Sequence, residues 1–158
     1  MRSRPMLIVA LLLAGPAHAS SRASRSVTVD LTPAEKLLVD DARDDKLDRF
    51  DPVTAAIATS TASQDVKDRA QTRWLEFLNG LTSEAMARPP RARAEFLLQA
   101  MHAQLLGGGY AFYQNDVALL LDDGTFNCVT SAIVYHAIAQ HFGLDVRGVL
   151  VPSHVYER

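Results

Sequence analysis

The sequence contains one cysteine, Cys128, and five histidines. A thiol does covalent chemistry as its thiolate, and it reaches that form most readily beside an imidazole. A helix is expected over residues 127–142, where Val129, Ala132, Ile133, Ala137, Ile138 and Phe142 are apolar over much of the circumference. With Thr125 or Asn127 as the cap, Cys128 lies in the first turn. Unpaired backbone amides and the positive end of the helix dipole there favour a thiolate and can hold an oxyanion. A buried, inert cysteine acting as a small apolar side chain is the competing reading, and composition alone leaves both open.

The imidazole partner is chosen by distance. His136 and His141 follow Cys128 on the same helix by eight and thirteen residues, which puts them roughly 12 and 20 Å along the axis. His102 belongs to the preceding helical segment, and nothing in the sequence ties it to the cysteine. His154 follows the helix by one strand (146–151) and a Pro152-Ser153 bend, so it can return beside the helix start. Metal binding is disfavoured by spacing: His136 and His141 lie about 140° apart around a helix, and Cys128 with His154 are too few ligands for structural zinc. Gln114 and Asn127 are candidate side-chain oxyanion donors, with a turn or cap role as the alternative for both and preferred for Asn127. Tyr110 and Tyr113 read as packing residues.

The elements that must position these groups begin with helices. Thr32-Pro33-Ala34-Glu35 has the form of a capped helix start, with the helix running to about residue 48 and Leu37 and Leu38 on its inner face. The acidic run from Asp40 to Asp48 lacks the glycine and terminal glutamate of an EF-hand, and reads as a solvated face. Asp51-Pro52 starts a second short helix. A third covers 64–79, with Ala70, Trp74, Phe77 and Leu78 on one side and Gly80 as its C-cap. After Pro89-Pro90, a fourth carries Phe96, Leu97, Ala100, Met101 and Leu105. Gly107-Gly108-Gly109 reads as a flexible turn, since no phosphate-loop lysine follows. Residues 117–121 form a short apolar run before an Asp122-Asp123-Gly124 turn. The expected organisation is a helical region over 31–106 and an α+β core over 107–158, a central helix packed on an antiparallel sheet.

The N-terminus has its own logic. Arg2 and Arg4 precede a short apolar stretch, Pro16 breaks it, and Ala17-His18-Ala19 offers small residues at a cleavage site. Residues 1–19 read as a signal peptide cut after Ala19, and 20–30 as a flexible lead-in. That implies a periplasmic or secreted protein with no stable membrane insertion once the signal is removed. Loss of its two arginines leaves 14 basic against 18 acidic residues, which disfavours a nucleic-acid partner. An unpaired cysteine in an oxidising compartment points to intermolecular pairing or a retained reactive thiol.

Taken in order, Gly124-Thr125-Phe126-Asn127-Cys128-Val129-Thr130-Ser131, an apolar helix ending at Phe142-Gly143-Leu144, then Val146-Arg147-Gly148-Val149 and Pro152-Ser153-His154-Val155 resemble the transglutaminase-like superfamily, in particular its bacterial members of cysteine-peptidase type. The resemblance covers residues from about 110 to 158. It implies a papain/transglutaminase-like core, Cys128 as nucleophile and His154 as general base, with no cofactor. The implied activity is that of a hydrolase or acyl transferase on peptide or protein amides, with a cell-wall-associated substrate fitting the compartment. It also implies a carboxylate or amide beyond the histidine. The sequence ends four residues after His154, and Glu157, the one carboxylate downstream, faces away from His154 on an alternating strand. The chain therefore reads as C-terminally incomplete. The competing function is a catalytically inactive domain of the same fold serving as a protein-binding module.

Overall fold

The computed structural model describes residues 29–152 and 154–157. The expected signal peptide, nearly all of the lead-in, and Ser153 of the expected bend lie outside them.

Local capping chemistry starts most of the helices. In α1 (Pro33–Asp41), Thr32 and Glu35 form a reciprocal capping box behind Pro33. The helix stops at Asp41, short of the expected residue 48. A 3-10 turn follows over Ala42–Asp44, and Asp45 takes a left-handed conformation with φ 64°. The Asp41 carboxylate fixes this reversal by accepting from the backbone of Arg49 and Phe50. The segment beyond Asp41 has no apolar stripe to bury, and Leu38 alone of α1 is buried while Leu37 stays exposed. Asp51 caps α2 (Pro52–Thr59) through the amides of Val53 and Thr54.

α3 (Gln64–Met86) runs past Gly80, which is an exposed interior position and not the expected C-cap. Leu81 and Ala85 continue the buried stripe of Ala70, Trp74, Phe77 and Leu78, so packing outweighs the glycine's weak propensity. α4 (Pro90–Gln104) buries Leu97, Ala100 and Met101. The apolar run at 117–121 lies within a helix, α5 (Val117–Asp123), capped by Asp116 and packed on α3. Arg73 binds α5 to the end of α4 by donating to the carbonyls of Leu121, Asp122 and Gln104. Arg69 adds a two-pronged contact to the Asp122 carboxylate.

The glycine run is not a flexible turn. Gly108 donates to the Gly124 carbonyl, and a Cβ on Gly108 would stand 2.5 Å from the Asp123 oxygen. Gly124, with φ 82°, is equally crowded, its Cβ position lying 2.6 Å from the Gly108 nitrogen. Two backbones cross here with no room for a side chain. The crossing continues into a short parallel pair, β1 (Gly109–Tyr110) with β2 (Thr125–Phe126).

α6 (Cys128–His141) follows β2 directly and ends where Gly143 adopts φ 70°. It packs against α2, α4 and α5 as well as β4. An antiparallel hairpin, β3 (Gly148–Val151) and β4 (His154–Glu157), pairs Val151 with His154 and Gly148 with Glu157. The chain from Leu31 onward is one compact unit. Its core joins residues of α2, α3 and α4 to Val117, Leu121, Val134, Ile138 and Phe142. At this level it is an α+β protein, mainly helical with two small sheets. Among the described residues no helix is long and apolar enough to cross a membrane.

Candidate active site

Cys128 is the first residue of α6 and is partly exposed. Its position is set by the residue before it. Asn127, 3% exposed, accepts from the amides of Val129 and Thr130 through Oδ1, both at 2.9 Å, while the Thr130 hydroxyl accepts from the Asn127 amide. The other end of the same side chain donates to the Phe112 carbonyl at 3.2 Å and to Asn115 Oδ1 at 2.7 Å. Asn127 is thus the cap, as preferred from the sequence, and also the tether of the loop at 111–116. Gln114 closes that loop by donating to the carbonyls of Asp116 and Thr125 and accepting from the Asp116 amide. Both candidate side-chain oxyanion donors have their amide hydrogens engaged. With the Val129 and Thr130 amides also taken, the Cys128 amide is the remaining first-turn donor.

His154 opens β4 on its exposed face, its ring stacked on Tyr156 with centroids 6.2 Å apart. Val155 and Glu157 alternate to the less exposed face. Glu157 Oε2 lies 3.1 Å from His136 Nδ1, and its side chain is 8% exposed. The carboxylate downstream of His154 is therefore bound to an imidazole that the sequence had set aside.

Cys128 and His154 line two cavities in common. One, of about 320 Å³, also has His102, Ser131, Tyr135 and Glu157 in its wall. The other, of about 500 Å³, is walled by Tyr110, Phe112, Tyr113, Val129 and Leu150. Compared with protein-family models, curated proteins and solved structures, the chain matches none. The geometry of these two cavities is accordingly the basis for any reading of function.

Several of their residues were not legible beforehand. His102 has no sequence link to Cys128, but packing of α4 on α6 brings it to the smaller cavity, where its ring meets Phe126 edge-on. Tyr135 donates to the Ala94 carbonyl, and burial, followed by the nearby Glu157 carboxylate, pushes its phenol above the ordinary value. Tyr110 and Tyr113 are not packing residues of the core: they are 59% and 87% exposed, with Phe112 between them at 69%. Three aromatics within the four residues 110–113, two positions before Asn115, were the available signal. His136 and His141 join neither cavity, and among the described residues no three histidines, cysteines or carboxylates are grouped closely enough to hold a metal ion.

Proposed function

We propose that the protein is a thiol-dependent hydrolase or acyl transferase acting on amide bonds of peptides or proteins. α6 with the β3–β4 hairpin is then the core of a transglutaminase-like fold. The observation that supports this reading is that Cys128, at a helix N-terminus, shares both of its cavities with His154. His154 takes the thiol proton, and Sγ attacks the amide carbonyl carbon. The resulting oxyanion is met by the Cys128 amide. Collapse breaks the C–N bond, the amine leaves with the proton from the imidazolium, and a thioester remains. Water or a second amine attacks the thioester, passes its proton to His154, and releases the acid or new amide with the thiol restored. Residues 1–19 as a cleaved signal peptide put this chemistry in the periplasm or outside the cell, where cell-wall-associated peptides and proteins are the accessible amides.

A non-catalytic binding module is the second reading, and one observation favours it: Glu157 is engaged by His136 and not by His154. Iodoacetamide labelling of Cys128 across pH, followed by intact mass, separates the two. Catalysis requires labelling that persists near pH 6, where an ordinary thiol of pKa about 8.5 is almost wholly protonated, and a drop of about tenfold or more in His154→Ala. Labelling that follows an ordinary thiol and ignores His154→Ala supports the binding module.

A further inference from the structure

The two cavities that meet at Cys128 and His154 differ in chemistry. The smaller is the more protic of the two: His102, Ser131, Tyr135 and Glu157 are in its wall, alongside Leu98 and Met101. Among the described residues, the larger has no carboxylate, ammonium or guanidinium in its wall; His154 and Cys128 aside, it offers aromatic rings, two of them phenols, aliphatic side chains and Asn115 and Asn127.

Its aromatic wall is exposed yet held in place. Phe112 and Tyr113 meet edge to face with centroids 4.9 Å apart, and Tyr110 meets Phe126 in the same way at 5.9 Å. The backbone beneath them is pinned on three sides: Ala111 donates to the Phe126 carbonyl, Phe112 accepts from Asn127, and Gln114 bridges to Thr125. Aromatic rings held outward on a hydrogen-bonded loop provide rigid contact area at low entropic cost. The tether is the same Asn127 side chain that starts the cysteine's helix, so the rings are held in register with the thiol. At about 500 Å³ the cavity falls within the usual range of small-ligand sites.

We infer that this larger cavity is a specificity subsite for an uncharged aromatic or large aliphatic side chain on the acyl side of the scissile amide. The protic cavity takes the departing amine and the entering water or amine. The existence of the apolar subsite stands on the lining itself; its assignment to the acyl side rests on the reaction proposed above. A departing amine and an entering nucleophile both exchange protons with His154, which lines both cavities, and the second imidazole, that of His102, lies in the smaller one. A carboxylate side chain entering the larger one would lose water without meeting, among the described residues, any cationic group apart from His154.

Two experiments separate the subsite from the reaction. First, the full chain carrying Cys128→Ser is titrated with N-acetylphenylalaninamide and with N-acetylaspartate amide, read by amide NMR shifts. The expected result is saturable shifts confined to residues 110–115 and 127–129 and their neighbours across the cavity for the phenylalanine compound. Binding should be at least about tenfold weaker for the aspartate compound and for the Phe112→Ala and Tyr113→Ala variants. Equal binding of the two compounds, or shifts centred on His102 and Tyr135, overturns the subsite. Second, unsubstituted protein is labelled with the chloromethyl ketones of N-acetylphenylalanine and N-acetylaspartate, each rate divided by the same protein's iodoacetamide rate. A preference of about tenfold for the aromatic reagent that collapses toward one in Phe112→Ala supports the acyl-side assignment. A preference that survives that replacement overturns it. If Cys128 reacts as an ordinary thiol while the phenylalanine compound still binds, the reaction fails and the subsite stands.

Discussion

Cys128 and His154 face the same cavities but are held there by different means. At the cysteine end, a backbone crossing at Gly108 and Gly124, a parallel strand pair, and the capping box of Asn127 and Thr130 converge on the first turn of α6. Asn127 and Thr130 are buried and satisfy each other, so any displacement exposes polar groups to an apolar surround. At the histidine end, β4 packs along α6 with Val155 and Glu157 on its less exposed face and the His136–Glu157 contact across the seam, while its strand partner β3 is largely exposed. The cysteine end is held by buried hydrogen bonds and a backbone crossing, whereas the histidine end is a surface hairpin seated along one helix. For a two-step acyl transfer this division is serviceable: the oxyanion donor must be fixed before reaction, while the imidazole has to serve first the thiol and then the leaving group.

The contrast can be broken most severely at the glycine crossing. Gly108→Ala places a methyl carbon within 2.6 Å of three backbone atoms that cannot move independently, and should cost about 3 kcal/mol or more, a large part of a small domain's stability. Gly107→Ala, whose added methyl meets nothing within 4 Å, should leave the urea midpoint nearly unchanged. If the two variants melt alike, the crossing is not what holds the cysteine end.

Next in size is Asn127→Ala, which removes a helix cap and strands Phe112 and Asn115. Urea denaturation should show a loss of about 2–4 kcal/mol, the sum of a cap and a buried acceptor left unpaired. Hydrogen exchange should accelerate over 111–116 and the first turn of α6 together, because one side chain serves both.

At the histidine end, His136→Ala and Glu157→Gln should each lower global stability by about 1 kcal/mol or less. Their larger effect should be local: faster hydrogen exchange across residues 148–157 with the segment 108–130 unaffected, and a smaller difference in Cys128 labelling between His154 and His154→Ala backgrounds. A hairpin that exchanges as before in both variants would mean that the packing of β4 on α6 seats it without that contact.

The smallest effect is expected far from both ends. Arg69, through its hydrogen bond and then its charge, holds the Asp122 carboxyl below its ordinary value of 3.8. A carboxyl depressed in the folded state stabilises above its unfolded value, and that contribution is lost as pH falls below 3.8 through the lower folded value. Asp122→Asn should therefore show a slight deficit at pH 7 that closes at acid pH, read by thermal unfolding against pH. Solvent around the exposed Arg69 keeps the deficit small. Neither Cys128 labelling nor exchange in the hairpin should respond.

Much of the scaffold was legible along the chain because helix starts are local events. The capping box at Thr32, the Asp51-Pro52 start and the Asn127 cap each involve residues within three positions of one another, so types and spacing suffice to find them. Helix ends were harder. α1 stops early and α3 runs late because burial, not propensity, decides where a helix ceases to be worth forming, and burial depends on distant neighbours. The glycine run reads as a flexible turn along the chain for the same reason: Gly124, which Gly108 crosses, lies well beyond it.

That Cys128 begins a helix and that a histidine follows on a returning strand can be read along the chain, since caps, apolar period and turn residues act over a few positions. Only the tertiary structure decided what surrounds that pair. His102 reaches the site across the α4–α6 packing, His136 takes up Glu157 from 21 residues away, and Tyr110, Phe112 and Tyr113 are turned outward by a loop tied to Asn127. These are contacts between segments whose approach is set by the filling of a common core, and no periodicity within either segment encodes them.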